Sequence, residues 1–210
     1  MKTISKTIPA AIGALMISAL SLSAASTDAL SLQGLHQLSF SGGALTESDT
    51  SDDQLIGGFE YHYWTSENLA VGASFAGITT DEDDNDDYWR RRDESVGMAH
   101  ASVLLRPDFL NLSSKAFFTL QASAGPYVGS KEYRRRHSDK HDDRWERETE
   151  TRWGGYLGAN FNLAITERFH MGLAAGYHFI PEFDDAINGQ RDYSSPDVRL
   201  RFNFLIGKRS

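Results

Sequence analysis

Residue polarity in this chain repeats every two positions, a period that specifies strands and excludes most helices. Near the C-terminus, Val198, Leu200, Phe202, Phe204 and Ile206 alternate with Arg199, Arg201, Asn203, Leu205 and Gly207. Phe169, Met171, Leu173, Ala175, Tyr177 and Phe179 alternate with His170, Gly172, Ala174, Gly176 and His178. Phe59, Tyr61 and Tyr63 alternate with Gly58, Glu60 and His62. Such segments have one apolar and one polar face. The pattern predicts eight strands, near 35–43, 55–64, 69–78, 95–106, 116–130, 151–165, 168–180 and 196–208, with no helix of ordinary length between them.

The connections alternate in length. Those at 65–68 and 166–168 are tight and 107–115 is somewhat longer, whereas 44–54, 79–94, 131–150 and 181–195 are long. Short turns at one end and long loops at the other are the pattern of a transmembrane β-barrel. Charge follows the same division. Most of the 29 acidic residues fall in the four long links and their flanks, and the strand bodies are nearly free of charge. The interior exceptions are Glu60, Arg199 and Arg201, all on the polar phase of their strands. A lipid-facing Arg near the midplane costs about 2–4 kcal/mol, so these charges are expected inside. Glu60, read as the only acid of a strand body, is the expected partner of Arg199 or Arg201.

The same phase assigns Gln37, Ser39, Ser41, His62, Ser74, His100, Ser102, Thr119, Gln121, Ser123, Asn160, Asn162, His170, His178 and Asn203 to the interior. Polar groups buried at this density must satisfy one another, and eight strands enclose only enough room for side chains. A structural plug is therefore expected, with a narrow pore gated by the ion pair as the alternative.

The N-terminus carries an address. Lys2 and Lys6 precede an uncharged apolar run, Ile8 to Leu22, and Ser23-Ala24-Ala25 supplies small residues. This predicts a signal peptide, 1–25, removed after Ala25, followed by a barrel domain, 26–210. The apolar run is short for a membrane helix, and Asp28 soon follows it. The chain is expected to be exported into the periplasm of a Gram-negative-type cell.

With three short turns set against four long loops, these features resemble the OmpA/OmpX-type family of small outer-membrane β-barrels over nearly the whole mature chain. The glycine-aromatic strands Gly154–Phe161 and Gly172–Phe179 and the final Phe202-Asn203-Phe204-Leu205-Ile206-Gly207 carry the local likeness. The resemblance implies an all-β, eight-stranded antiparallel up-and-down transmembrane barrel with short periplasmic turns and long extracellular loops. It implies residence in the outer membrane, among lipid and lipopolysaccharide, with the loops at the cell surface. One departure is the ending Lys208-Arg209-Ser210, where such chains often finish on an aromatic that the assembly machinery reads. No peptidoglycan-binding domain is expected after the barrel, and so no cell-wall tether of the OmpA kind.

Composition narrows the chemistry. The absence of cysteine excludes disulfides, thiolate metal sites, a cysteine nucleophile and a lipoprotein anchor. A net charge of −8 disfavours nucleic acid, which requires a basic surface. His170 and His178 lie roughly 26 Å apart along one strand, too far to share a zinc ion with ligands at about 2.1 Å. His62 and His100 fall on strands that are not neighbours. Some small outer-membrane barrels modify the acyl chains of lipid A, and a deacylase of that kind places His-x-Ser on a strand. Here His178 is followed by Phe179-Ile180, and Ser39, Ser74, Ser102 and Ser123 show no base identifiable from spacing. An omptin-like protease would need ten strands.

The long loops are where contact is expected. The second, with Asp81, Asp83, Asp84, Asp86 and Asp87, lacks the turn glycine and the glutamate at position twelve of an EF-hand, so it reads as solvated charge. The third folds back at 138–142, setting Arg134, Arg135 and Arg136 against an arm rich in glutamate that also carries Trp145, so that strands 5 and 6 run on past the membrane as a ribbon. The acidic second loop could lie against Arg134–Arg136. His137 and His141 sit among aspartates in the same turn, with nothing to fix a metal geometry. The reading is a monomeric structural or surface-interaction barrel whose loops meet an extracellular ligand or host surface. No catalytic residue, cofactor or metal is expected. The alternatives are a narrow channel, a lipid-modifying hydrolase, and a soluble barrel with its apolar faces turned inward.

Overall fold

The computed structural model describes residues 31–45, 54–80, 92–135, 144–187 and 191–208. Among them are eight strands: β1 (His36–Leu45), β2 (Gln54–Trp64), β3 (Leu69–Thr80), β4 (Arg92–Leu105), β5 (Ala116–Arg135), β6 (Arg144–Ala164), β7 (Phe169–Phe179) and β8 (Ser195–Ile206). A single 3-10 turn, Asp108–Leu110, lies between β4 and β5. Each strand pairs antiparallel with its neighbour in sequence, and β8 closes on β1. Closure pairs both edges of every strand within the barrel, which is what a β structure needs in hydrocarbon.

The strands obey the two-residue period. Along β8, Asp197, Arg199, Arg201 and Asn203 are buried while Val198, Leu200, Phe204 and Ile206 are exposed. The outward set is apolar: Phe40 on β1 is 49% exposed, whereas Arg201 is 1% exposed. Apolar outside and polar inside is the reverse of a water-soluble barrel, so the soluble reading fails on phase.

β5 and β6 are the longest strands. Their ladder runs from Ala116↔Leu163 to Arg135↔Arg144, while β7 meets β6 only from Gly155↔Phe179 downward. The pair therefore stands beyond the rim as a ribbon. Its register departs from the expected matching of a basic arm with a glutamate arm. Lys131 faces Glu148 and Glu132 faces Arg147, but Arg134 faces Trp145 and Arg135 faces Arg144. The reason is that the glutamates lie nearer the barrel along the backbone than the arginine run does, so residues of opposite sign share register positions low on the ribbon.

The outer wall is uneven. Phe40, Phe59, Phe202 and Phe204 cluster with Phe169 on β7, β8, β1 and β2, with ring centroids 5.1–6.4 Å apart. Across the barrel, Ala73, Ala101, Ala124 and Gly155 stand side by side on β3, β4, β5 and β6.

Candidate functional site: the lumen, its closures and the outer rim

The middle of the lumen is a hydrogen-bonded layer. Arg201 on β8 donates through Nη2 to Oε2 of Glu60 on β2 at 2.9 Å and through Nη1 to Oε1 of Gln121 on β5 at 2.9 Å. Gln121 Nε2 donates to the same Glu60 oxygen at 3.2 Å. Asn160 Nδ2 donates to Thr119 Oγ1 at 3.2 Å, and Asn203 Nδ2 to Asn162 Oδ1 at 3.1 Å. Side chains from opposite walls are thereby tied into one network, whose members depend on each other for solvation.

Glu60 is not the only acid in a strand body. Asp197 lies in β8, is 1% exposed and holds Arg199, whose guanidinium also lies 4.8 Å over the Tyr156 ring. In sequence Asp197 merges with the acid-rich link before it, but β8 starts at Ser195 and gives Asp197 the lumenal phase. Each lumenal Arg thus has its own carboxylate.

Two serines do have a base within reach, contrary to the reading from spacing. His62 Nε2 lies 2.7 Å from Ser102 Oγ, and His100 Nδ1 lies 3.1 Å from Ser123 Oγ. The barrel brings β2 across the lumen from β4, a proximity that linear spacing does not encode. His62 Nδ1 is 3.9 Å from Glu60 Oε2, which completes the outline of a Ser-His-acid constellation. The constellation is packed inside the lumen. Ser102, His62 and Glu60 are all buried, and the Glu60 oxygen already serves Arg201 and Gln121. A separate space beside Glu60, His100, Ser123 and Tyr156 is about 10 Å³, room for about one water.

An apolar closure lies on each side of this layer. At the short-turn end, Leu32, Leu35, Trp64, Ala70, Leu104, Phe117 and Leu205 pack together. The chain before β1 turns in to join them at Gly34, whose φ of +80° suits glycine and whose N–H donates to Trp64 O at 2.9 Å. Trp64 Nε1 donates to Gln37 Oε1 at 3.0 Å and so links this closure to the polar layer. Glu67, in the β2–β3 turn, holds the segment by accepting from Ser31 Oγ at 2.6 Å and Leu32 N at 2.9 Å. Burial pushes the Glu67 carboxyl up, but the hydrogen bonds from Ser31, Leu32 and Gln33, with the charge of Arg106, outweigh it and hold it below the usual range.

At the long-loop end, Leu45, Ile56, Ile78, Val96, Met98 and Tyr127 from the strands pack with Ile180, Phe183, Ile187 and Tyr193 from the segment after β7. Gly129 makes room for this insertion, since a Cβ there would sit 1.9 Å from Ile187 Cδ1. Tyr193 O–H donates to Ile187 O at 2.5 Å. Glu150 accepts from Asp184 N at 2.8 Å and Asp185 N at 3.3 Å. Lys131 pairs with Asp185 at 3.0 Å and Glu148 at 3.3 Å, and Arg152 pairs with Asp184 at 2.6 Å and also with Glu150. The ribbon and this closure are therefore one construction. In sequence the segment reads as a charged loop. Phe183, Ile187 and Tyr193 were the available signal, but their spacing fits no strand period.

Of the loop residues singled out from the sequence, Asp81, Asp83, Asp84, Asp86, Asp87 and Arg136 lie outside the described residues, as do His137, His141 and the segment 1–30. Arg134, Arg135 and Trp145 are placed by the backbone on the ribbon.

No protein-family model matches the chain, and no curated protein matches it. Solved structures do. Ail, the attachment invasion locus protein of Yersinia pestis, in its crystal structure with the heparin analogue sucrose octasulfate, aligns with a TM-score of 0.52 and 13% identity over 83% of this chain and 99% of that one. The N-terminal β-barrel domain of Pseudomonas aeruginosa OprF aligns with a TM-score of 0.47 and 11% identity over 83% of this chain and 98% of that one. The likeness to Ail, together with the closed antiparallel topology, establishes the fold as the small eight-stranded barrel of the OmpA/OmpX type.

Proposed function

We propose that the chain resides in an outer membrane, among lipid and lipopolysaccharide, as a sealed barrel that presents a contact surface outside the cell. The observation that carries this reading is the β5–β6 ribbon, which stands beyond the rim and is joined through Lys131, Glu150 and Arg152 to the segment closing the outer mouth. Two apolar closures flanking a tied polar layer support a barrel that does not conduct. The buried Ser102–His62 contact supports a structural role over hydrolysis.

The surface is composite. The contact set is Arg134, Arg135 and Trp145 of the ribbon, together with Arg136 and the acidic residues Asp81, Asp83, Asp84, Asp86 and Asp87. The Ail ligand is a polyanion. Here Lys131 and Arg152 each already face two carboxylates, which favours a cationic or mixed-charge partner.

Deletion of 134–148 is the test. The variant is expected to fold, seen as a shifted gel mobility between boiled and unboiled samples, and to lose adhesion of expressing cells to candidate surfaces. Undiminished adhesion refutes the contact assignment. Steady conductance in planar bilayers refutes the sealed lumen, and a changed acyl pattern of lipid A on expression refutes the non-enzymatic reading.

A further inference from the structure

The three connections at the short-turn end are built unequally. Two are tight, closed by Thr65 N to Leu69 O at 2.9 Å and Ile165 N to Phe169 O at 3.0 Å. The third runs from Arg106 to Lys115, and its polar groups are spent on holding it in shape. Arg106 Nε donates to Asn111 Oδ1 at 2.9 Å, and its guanidinium covers the Phe117 ring at 4.3 Å. Arg106 N donates to Asn68 O at 2.9 Å, and Asn68 Nδ2 donates to Asp108 Oδ2 at 3.2 Å. Leu110 N donates to Pro107 O at 3.0 Å, and Leu112 N to Ala116 O at 2.9 Å. Polar side chains thus face the mouth and the neighbouring turn.

The apolar side chains go the other way. Phe109 is 84% exposed and Leu112 is 46% exposed. Phe109 is the most exposed large apolar side chain among the described residues. Among the described residues, no packing accounts for a pinned turn that holds a phenyl ring outward. The turn continues from the end of the apolar outer wall, where Leu105, its ladder partner Leu120, and Ile165 are also exposed. Barrels place aromatic girdles at the membrane–water boundary, and lysines there keep the ammonium in the headgroups while the stem lies along apolar surface. Lys115, exposed at the end of the same turn, suits that role.

We propose that the Phe109–Leu112 turn is an interfacial anchor, seated at the boundary of headgroups and acyl chains in the periplasm-facing leaflet. It fixes the depth of the barrel. This rests on the membrane reading above.

The chain has no cysteine, so single-cysteine labelling is clean. Phe109→Cys, Leu105→Cys and Ser66→Cys are each labelled with an environment-sensitive fluorophore and placed in nanodiscs of phosphatidylethanolamine and phosphatidylglycerol, where both faces are open to solvent. Leu105 marks the wall and Ser66 marks a tight turn. The label at 109 is expected to be quenched by lipid carrying a nitroxide near the headgroup, and to be several-fold less sensitive to aqueous iodide than the label at 66. If 109 is as open to iodide as 66 while 105 is quenched by lipid, the anchor is refuted and the turn is left as a site for a periplasmic protein. If 105 is also open to iodide, the membrane reading itself fails.

Discussion

The two mouths of this barrel are closed by the same device made in different materials. In each, an irregular segment folds into the lumen with its apolar side chains, and one glutamate accepts backbone N–H groups from it: Glu67 at the inner mouth, Glu150 at the outer. The inner closure is mostly barrel wall, with Trp64, Leu104, Phe117 and Leu205 supplying its bulk and Leu32 and Leu35 completing it. The outer closure depends on inserted chain, and its fastening is ionic and exposed to solvent through Lys131 and Arg152. The inner seal is therefore a property of the fold, and the outer seal is a property of a loop docked onto it.

That contrast breaks first at the layer both closures rest on. Glu60→Ala leaves Arg201 buried without its carboxylate, which is expected to cost about 3–5 kcal/mol and to lower the melting temperature in detergent more than any closure variant. A melting temperature equal to wild type would mean that Gln121 and water suffice. Next, Gly129→Val forces Ile187 out of its seat. A loss of about 1–3 kcal/mol is expected, with faster hydrogen exchange at the outer mouth and unchanged exchange around Trp64. Faster exchange at both mouths would show that the closures are coupled.

The third variant separates them by pH. The Glu67 carboxyl is held below the usual range, so its contribution is present at neutral pH and is lost as pH falls through that lowered value. Glu67→Gln should melt below wild type at neutral pH, and the gap should close in acid below about pH 4. A gap that persists unchanged in acid would mean that the charge is irrelevant. The smallest effect belongs to Lys131→Ala. Exposed ion pairs contribute about 1 kcal/mol or less, and molar salt should erase the difference between this variant and wild type. A larger, salt-resistant loss would show that the ionic fastening is a structural part of the seal.

The period of two carried most of the barrel, because inward and outward positions differ in chemistry at almost every step. It placed Glu60, Arg199 and Arg201 inside, and it placed the Ser and His residues that meet across the lumen. It was silent where structure departs from the period. Asp197 was hidden among the acids of a link, although its place in β8 decides its direction. Phe183, Ile187 and Tyr193 form a closure through tertiary packing alone, so no repeat announces them. The pairing of His62 with Ser102 needs the curvature of the sheet, which brings strands two apart within hydrogen-bond reach.

The uneven wall has an electrical meaning. The charged side chains of the mid-lumen, Glu60, Asp197, Arg199 and Arg201, all come from β2 and β8, the strands that carry the phenyl cluster outside. The alanine row lies across the barrel, on strands whose mid-lumen groups include the hydroxyls and amide of Ser102, Gln121 and Ser123. The barrel is thus lagged unequally, like a conductor wrapped only where it carries current. Its thick side of phenyl rings backs the buried charges, and its thin side of alanine and glycine backs neutral amides and hydroxyls, where a nearby low-dielectric medium has less charge to act on.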